Sequence, residues 1–177
     1  PLALNANEDL VVGPRYRATE DEFELSRPLP LFDSLADPSW ARDAGAIDDR
    51  LAPALPVRRL ILALREVSAE TGSAANHPVL FDRDQRARLY RWLVLHAPDI
   101  KADEASRTSL ERTAAIITTQ GTLRAPCQLL FETDLPDLGI DWEPGKEVPE
   151  SLVNWLSQTY RLEDRQLEQI LKRLVEA

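Results

Sequence analysis

"IITTQGTLRAP", residues 116–126, is the stretch on which the fold turns. Two isoleucines, a polar Thr pair, Gln120-Gly121 and then Leu123 describe a strand, a turn and a returning strand. A near-copy, "LALNANEDLVVGP", occupies residues 2–14, with the Asn-rich "NANED" as turn chemistry between two short apolar runs. Leu10 matches Leu123 at an offset of 113, and Pro14 matches Pro126 at 112. Two small β-hairpins are therefore expected, at 2–12 and from 115 onward.

An acidic, proline-bearing connector with a tryptophan follows each hairpin. Residues 20–50 hold nine acids against three arginines and include Trp40; residues 132–150 hold seven acids against Lys146 alone and include Trp142. Pro28, Pro30 and Pro38 punctuate the first connector. No period is sustained there, so it reads as mostly irregular, pinned by Phe23, Leu31, Phe32 and Trp40.

Helices fill the rest. Val57, Leu60, Ile61 and Leu64 form one apolar stripe of a helix over 56–69. Asp82 with Gln85 has capping-box spacing ahead of a helix over 82–96, which buries Leu89, Trp92, Leu93 and His96 and ends before Pro98. Thr108 and Glu111 repeat that spacing near a shorter helix over 104–113. Pro149 suits the first turn of a helix over 149–160. A last helix over 164–176 carries Leu167, Ile170, Leu171 and Leu174, a stripe that matches Leu60, Ile61 and Leu64 at an offset of 110.

These elements predict an α+β fold, mainly helical, with the helices packed against two small hairpins. The chain reads as one compact segment over 1–177, with possible repeat halves at 1–70 and 82–177. The repeated unit would be helix, helix, hairpin, acidic loop, helix. The competing reading is that short apolar–polar strings recur by chance. The chain begins at Pro1 and contains no methionine, from which a segment of a larger protein is expected.

Composition narrows the function. The chain has 177 residues, 44% of them apolar, and a formal net charge of −9. Such an acidic body repels phosphate backbones, so nucleic acid is a poor default partner. No apolar run approaches the roughly 18 residues of a membrane span, and no signal-peptide pattern opens the sequence. One cysteine, Cys127, fits a reducing, cytoplasmic setting. The Arg- and Ala-rich, Lys-poor usage suggests a bacterial source.

No recognised catalytic signature is present. Cys127 with His96 or His77 would make a nucleophile and base, but no acid is placed to orient either histidine, and "APCQLL" reads as a buried structural thiol. Asp134, Asp137 and Asp141 lack the spacing of a calcium loop, and Asp48-Asp49 fares no better. The glycines form no phosphate-binding motif. No cofactor, metal or catalytic residue is assigned. The one basic zone, 58–91, carries seven arginines against four acids. Arg83, Arg86 and Arg91 there are the candidates for a phosphate or nucleic-acid contact, beside Tyr90 and Trp92. The preferred reading pairs these arginines with the acidic connectors.

The string "IITTQGTLRAPCQLLFETDLPDLG" resembles one in large sacsin-like and NO VEIN-like proteins, whose chains begin with an Hsp90-type (GHKL) ATP-binding domain. Ile117, Thr119, Gly121, Leu123, Pro126, Leu129 and Leu135-Pro136 carry the match over about 25 residues. The first copy departs from it, with Glu8-Asp9 where Gly is expected. The resemblance implies a non-catalytic downstream segment of a chaperone-like or defence-associated ATPase, without the ATP-binding residues. The expected role is a structural or protein-interaction module, its partner another domain of the same polypeptide or a separate protein. Nucleic-acid or phosphate binding through 58–91 is the alternative, and an enzyme of unknown class the third.

Overall fold

A computed structural model of the chain describes residues 2–4, 10–12, 15–39, 53–68, 73–131 and 142–160, together with 167–168, 170–172 and 175 near the C-terminus. The described chain is mainly helical, with two small antiparallel hairpins. β1 (Leu2–Leu4) pairs with β2 (Leu10–Val12), closing on Leu4↔Leu10. β3 (Ile116–Ile117) pairs with β4 (Leu123–Arg124), closing on Ile117↔Leu123. The two closing pairs are related by the same offset of 113 residues. In the second turn Gly121 sits at φ 81°, the left-handed region that glycine enters without a Cβ penalty. Downstream the described elements differ, because β2 leads into a helix and β4 into a single 3-10 turn, Pro126–Gln128. Trp40, the tryptophan of the first connector, lies outside the described residues.

The first connector is less irregular than its sequence suggests. α1 (Glu20–Ser26) begins with a complete capping box. Glu22 N–H donates to Thr19 Oγ1 at 3.3 Å, and Thr19 N–H donates to Glu22 Oε2 at 2.8 Å. Three acids in its first turn suit the positive end of the helix dipole. A 3-10 turn, Pro30–Ser34, follows, and its Phe32 ring meets Phe23 at 5.0 Å between centroids.

α2 (Val57–Ser68) buries the expected Leu60, Ile61 and Leu64. α3 (Arg83–Leu95) starts after Asp82, but the Asp82 side chain makes no cap hydrogen bond and Gln85 Oε1 finds no partner among the described residues. The expected box is therefore not made. The chain also does not leave helix at Pro98. His96 is a one-residue joint, and α4 (Ala97–Ala102) restarts with Pro98 in its first turn, where no N–H is required. α5 (Glu104–Glu111) takes Asp103 as its cap, accepting from Ser106 N–H at 3.0 Å. Thr108, expected at a cap, lies inside that helix. α6 (Glu150–Thr159) follows Pro149, which stands just outside the helix rather than in its first turn. The described residues between 167 and 175 are helical.

One apolar cluster joins these elements. α2 packs on α5, α1 on α3, and α3 on α6. Leu25, Leu60, Leu93, Ile100, Ile116, Leu152 and Leu156 have no exposed surface. Each such burial stabilises by about 1.5–3 kcal/mol relative to exposure.

Short backbone ladders hold the non-helical parts. Tyr16-Arg17 lies between residues 34–36 and 53–55, through Tyr16 N–H to Ser34 O and Leu55 N–H to Arg17 O, at 3.0 and 2.9 Å. The second hairpin gains a third strand-like neighbour, since Thr119 N–H donates to Glu143 O at 3.0 Å and Gly145 N–H to Ile117 O at 2.7 Å. A Cβ on Gly145 would lie 3.0 Å from Thr118 O, tighter than ordinary contact, so this approach favours glycine. Among the described residues, no helix is long and apolar enough to cross a membrane.

Candidate functional site

α3 carries most of the polar chemistry. Arg86, Leu89, Tyr90 and Leu93 follow i, i+3, i+4, i+7 spacing, so Arg86 points from the core-facing stripe. Its guanidinium is satisfied from two sides. Nη1 donates to Leu80 O at 2.9 Å and to Phe81 O at 3.0 Å; Nε and Nη2 form a fork on Glu147, with Nη2–Oε2 at 3.2 Å. The hydrogen-bonded Glu147 raises the Arg86 pKa against the opposing effect of burial. The neighbouring Tyr90 hydroxyl accepts from Ile117 N–H at 3.0 Å, tying β3 to α3, and burial pushes its phenol pKa up.

Arg91 and Arg88 face α1 instead. Their guanidinium nitrogens lie 3.0 and 3.2 Å from one Asp21 oxygen. Arg83 is mostly exposed and lies 3.8 Å from Glu147. The three arginines singled out for an anion thus do not share one cationic face. Arg86 is engaged inside and Arg91 is paired across to α1, which leaves Arg83 as the loosely held one.

A third acid reaches α3 at its far end. Glu22, 4% exposed, accepts from Trp92 Nε1 at 3.0 Å through the carboxylate that also completes the α1 cap. His96 lies beside it, with Nε2 3.8 Å from Glu22 Oε1 and Nδ1 3.2 Å from Asp99 Oδ2.

The described residues also bring a hydroxyl and an imidazole together. Ser68 Oγ and His77 Nε2 are 3.0 Å apart and buried. The geometry is wrong for general-base catalysis. His77 Nδ1 accepts from Val79 N–H at 3.1 Å and Leu80 N–H at 2.9 Å, so the ring proton must sit on Nε2. Nε2–H then donates to Ser68 Oγ, whose own hydrogen goes to Leu64 O at 2.6 Å. No lone pair remains to take the serine proton. Burial lowers the His77 pKa to about 4. Protonation would also set an Nδ1 hydrogen against two N–H donors. This is a structural knot that fastens residues 77–80 to the end of α2.

Cys127 is 3% exposed, within the 3-10 turn after β4. Among the described residues, no three His, Cys, Asp or Glu side chains are grouped to hold a metal ion. Asp134, Asp137, Asp141, Asp48 and Asp49 lie outside those residues.

Concavities mark the surface of the described residues. One of about 450 Å³ lies beside the second hairpin's turn, lined by Arg83, Thr118, Thr119, Gly121, Lys146 and Glu147 among others. One of about 620 Å³ runs between α1 and α3, over Asp21, Arg88, Arg91, Trp92 and Leu95. One of about 280 Å³ is apolar, formed by Leu130, Phe131, Pro144, Val148 and Val153 with Glu143 and Glu150. None of them gathers a nucleophile, a base and an orienting acid.

Large apolar side chains also stay outside. Phe81 is 59% exposed and Leu95 69%. Near the C-terminus Ile170 is buried while Leu167, Leu171 and Val175, spaced four apart, are exposed. Compared with protein-family models, with curated proteins and with solved structures, the chain matches none of them. The Ser68–His77 knot could have been suspected from "NHP" following the end of the α2 stripe, but its wiring depends on the fold. The Glu22–Trp92 bond spans 70 residues and leaves no local signal.

Proposed function

We propose that this chain is a non-catalytic protein-interaction module. The observation that carries the reading is the apolar row Leu167, Leu171 and Val175, which lies on one side of helical residues and stays exposed while Ile170 is buried. Single exposed leucines are ordinary, but a contiguous apolar strip is a mark of contact with another surface. The acids of α1 and of residues 142–149 support the same reading, because they pair with Arg86, Arg88 and Arg91 and keep α3 from presenting a concerted anion face. The resemblance of the second hairpin's string to sacsin-like chains supports, as part of this proposal, a role within a larger chaperone-like or defence-associated ATPase, with a protein partner or a neighbouring domain on the apolar strip.

A photo-crosslinking amino acid at position 171, compared with one at Arg65 on α2, tests the proposal. The expected result is a discrete protein adduct from position 171 and none from position 65. Equal adducts from both positions, or none from 171, would remove the strip from the account.

A further inference from the structure

The apolar pocket below the second hairpin sets carboxylates at the rim of an apolar wall. Its walls are the half-buried Leu130, Phe131, Pro144 and Val153 over the buried Val148, while exposed Glu143 and Glu150 also line it. Neither of those carboxylates has an ion-pair partner among the described residues. By contrast Asp21 and Glu147, elsewhere on the same molecule, are each held by two arginines. The pocket is fixed in shape by its backbone. Leu130 N–H donates to Trp142 O at 2.9 Å, and Thr119 N–H and Gly145 N–H lock residues 143–145 onto β3.

We propose that this pocket receives an apolar side chain from an extended segment of a partner protein, with lysine or arginine flanking that side chain and meeting Glu143 and Glu150. The inference rests on the protein-interaction reading and names the chemistry of a partner. Size favours a side chain, since 280 Å³ falls at the lower limit of about 300 Å³ at which small-molecule sites begin. Charge favours a basic segment. Glu143 and Glu150 line the pocket and the whole chain carries −9, so a cationic peptide is drawn to it and an acidic one repelled. The apolar anchor supplies the affinity and the two carboxylates set register and sign.

The test uses the full chain and a fluorescein-labelled octapeptide of alternating lysine and leucine, read by fluorescence anisotropy at about 50 mM salt, where exposed charges are weakly screened. Two comparison peptides alternate lysine with serine and glutamate with leucine. The lysine–leucine peptide is expected to bind at least about tenfold more tightly than either, because each comparison removes the anchor or the charge. Glu143→Gln with Glu150→Gln should weaken it about three- to tenfold, as two exposed pairs allow. Glu66→Gln with Glu104→Gln, which removes the same charge from α2 and α5, should leave it unchanged. Val153→Ser, with circular dichroism confirming that the chain is folded, should weaken it without altering its salt dependence.

Equal weakening by the two charge pairs would mean general attraction to an acidic surface and would overturn the pocket assignment. So would unaltered binding in Val153→Ser. Self-association of the free chain that Val153→Ser abolishes would make a second copy the occupant and overturn the basic-segment assignment. Any of these failures, with the position-171 adduct intact, refutes this pocket and leaves the interaction reading standing. Loss of that adduct with pocket-specific peptide binding retained refutes only the C-terminal strip.

Discussion

Two acid–arginine clamps hold α3, and they differ in kind. At one end Arg86 is almost enclosed, with side-chain exposures of 11% for Arg86 and 21% for Glu147, and it also carries two main-chain carbonyls. At the other, Asp21 shares one oxygen between Arg88 and Arg91, with side-chain exposures of 29% for Asp21 and 60% for Arg91. The first clamp joins α3 to the loop that covers β3; the second joins α3 to α1 at a partly exposed surface. Water competes little with the first and strongly with the second. Equal numbers of charges on one helix therefore do unequal work, and the inner clamp is the one the fold depends on.

The sharpest way to break that comparison is Arg86→Ala. It leaves Glu147 to the loosely held Arg83, 3.8 Å away, and Leu80 O and Phe81 O without their donor. We expect a loss of about 3 kcal/mol in urea unfolding, in the range for one partner removed from a buried pair. Arg86→Lys should recover only part of it, because an ammonium cannot make the fork.

The His77 knot is the inner kind without a charge, and acid should open it. Its pKa in the folded chain, about 4, lies below the 6.5 of the free side chain, so the unfolded chain binds the extra proton first. Its contribution is complete above pH 6.5 and is lost as pH falls towards 4, reaching about 2–3 kcal/mol. Unfolding free energies of the chain and of His77→Gln, compared between pH 7 and 4.5, should converge on acidification. Parallel curves would place the histidine outside the account.

Glu22 stands between the two classes, buried but made of hydrogen bonds rather than an ion pair with arginine. Glu22→Ala removes both the carboxylate half of the α1 capping box and the acceptor for Trp92, and we expect about 2 kcal/mol together with a changed tryptophan emission spectrum. Glu22→Gln keeps an acceptor for the indole and should do less. Smallest of all is Asp21→Asn at the outer clamp, expected below about 1 kcal/mol and fading further by about 0.5 M salt. A large, salt-insensitive effect there would erase the distinction between the clamps.

How far the sequence led follows the same division between local and distant. The apolar stripe of α2, the cap position at Asp82 and the Gly121 turn were legible because each is written within a few residues. α1 is written locally too, in the capping-box spacing of Thr19 and Glu22, but the surrounding acids and prolines mask it and suggest an irregular connector. Pro98 misled in the opposite way, since proline stops one helix and equally well starts the next. The Asp82–Gln85 spacing has the cap backbone without the side-chain hydrogen bonds, and the Thr108–Glu111 spacing falls inside a helix. What no short window contains is the partner of Arg86, 61 residues away, or that of Trp92, 70 residues away. Those choices are made by packing α3 against α1 and against residues 142–149.

The central claim is that the arginines of α3 serve the fold rather than a ligand, and a double-mutant cycle on Arg86 and Glu147 tests it most directly. Unfolding free energies of the parent chain, Arg86→Ala, Glu147→Ala and the double substitution give the coupling between the two side chains. The account predicts a coupling above about 1.5 kcal/mol that changes little with salt. A coupling near zero would mean that Arg86 is not held by Glu147, and would return Arg83, Arg86 and Arg91 to consideration as a surface for phosphate or nucleic acid.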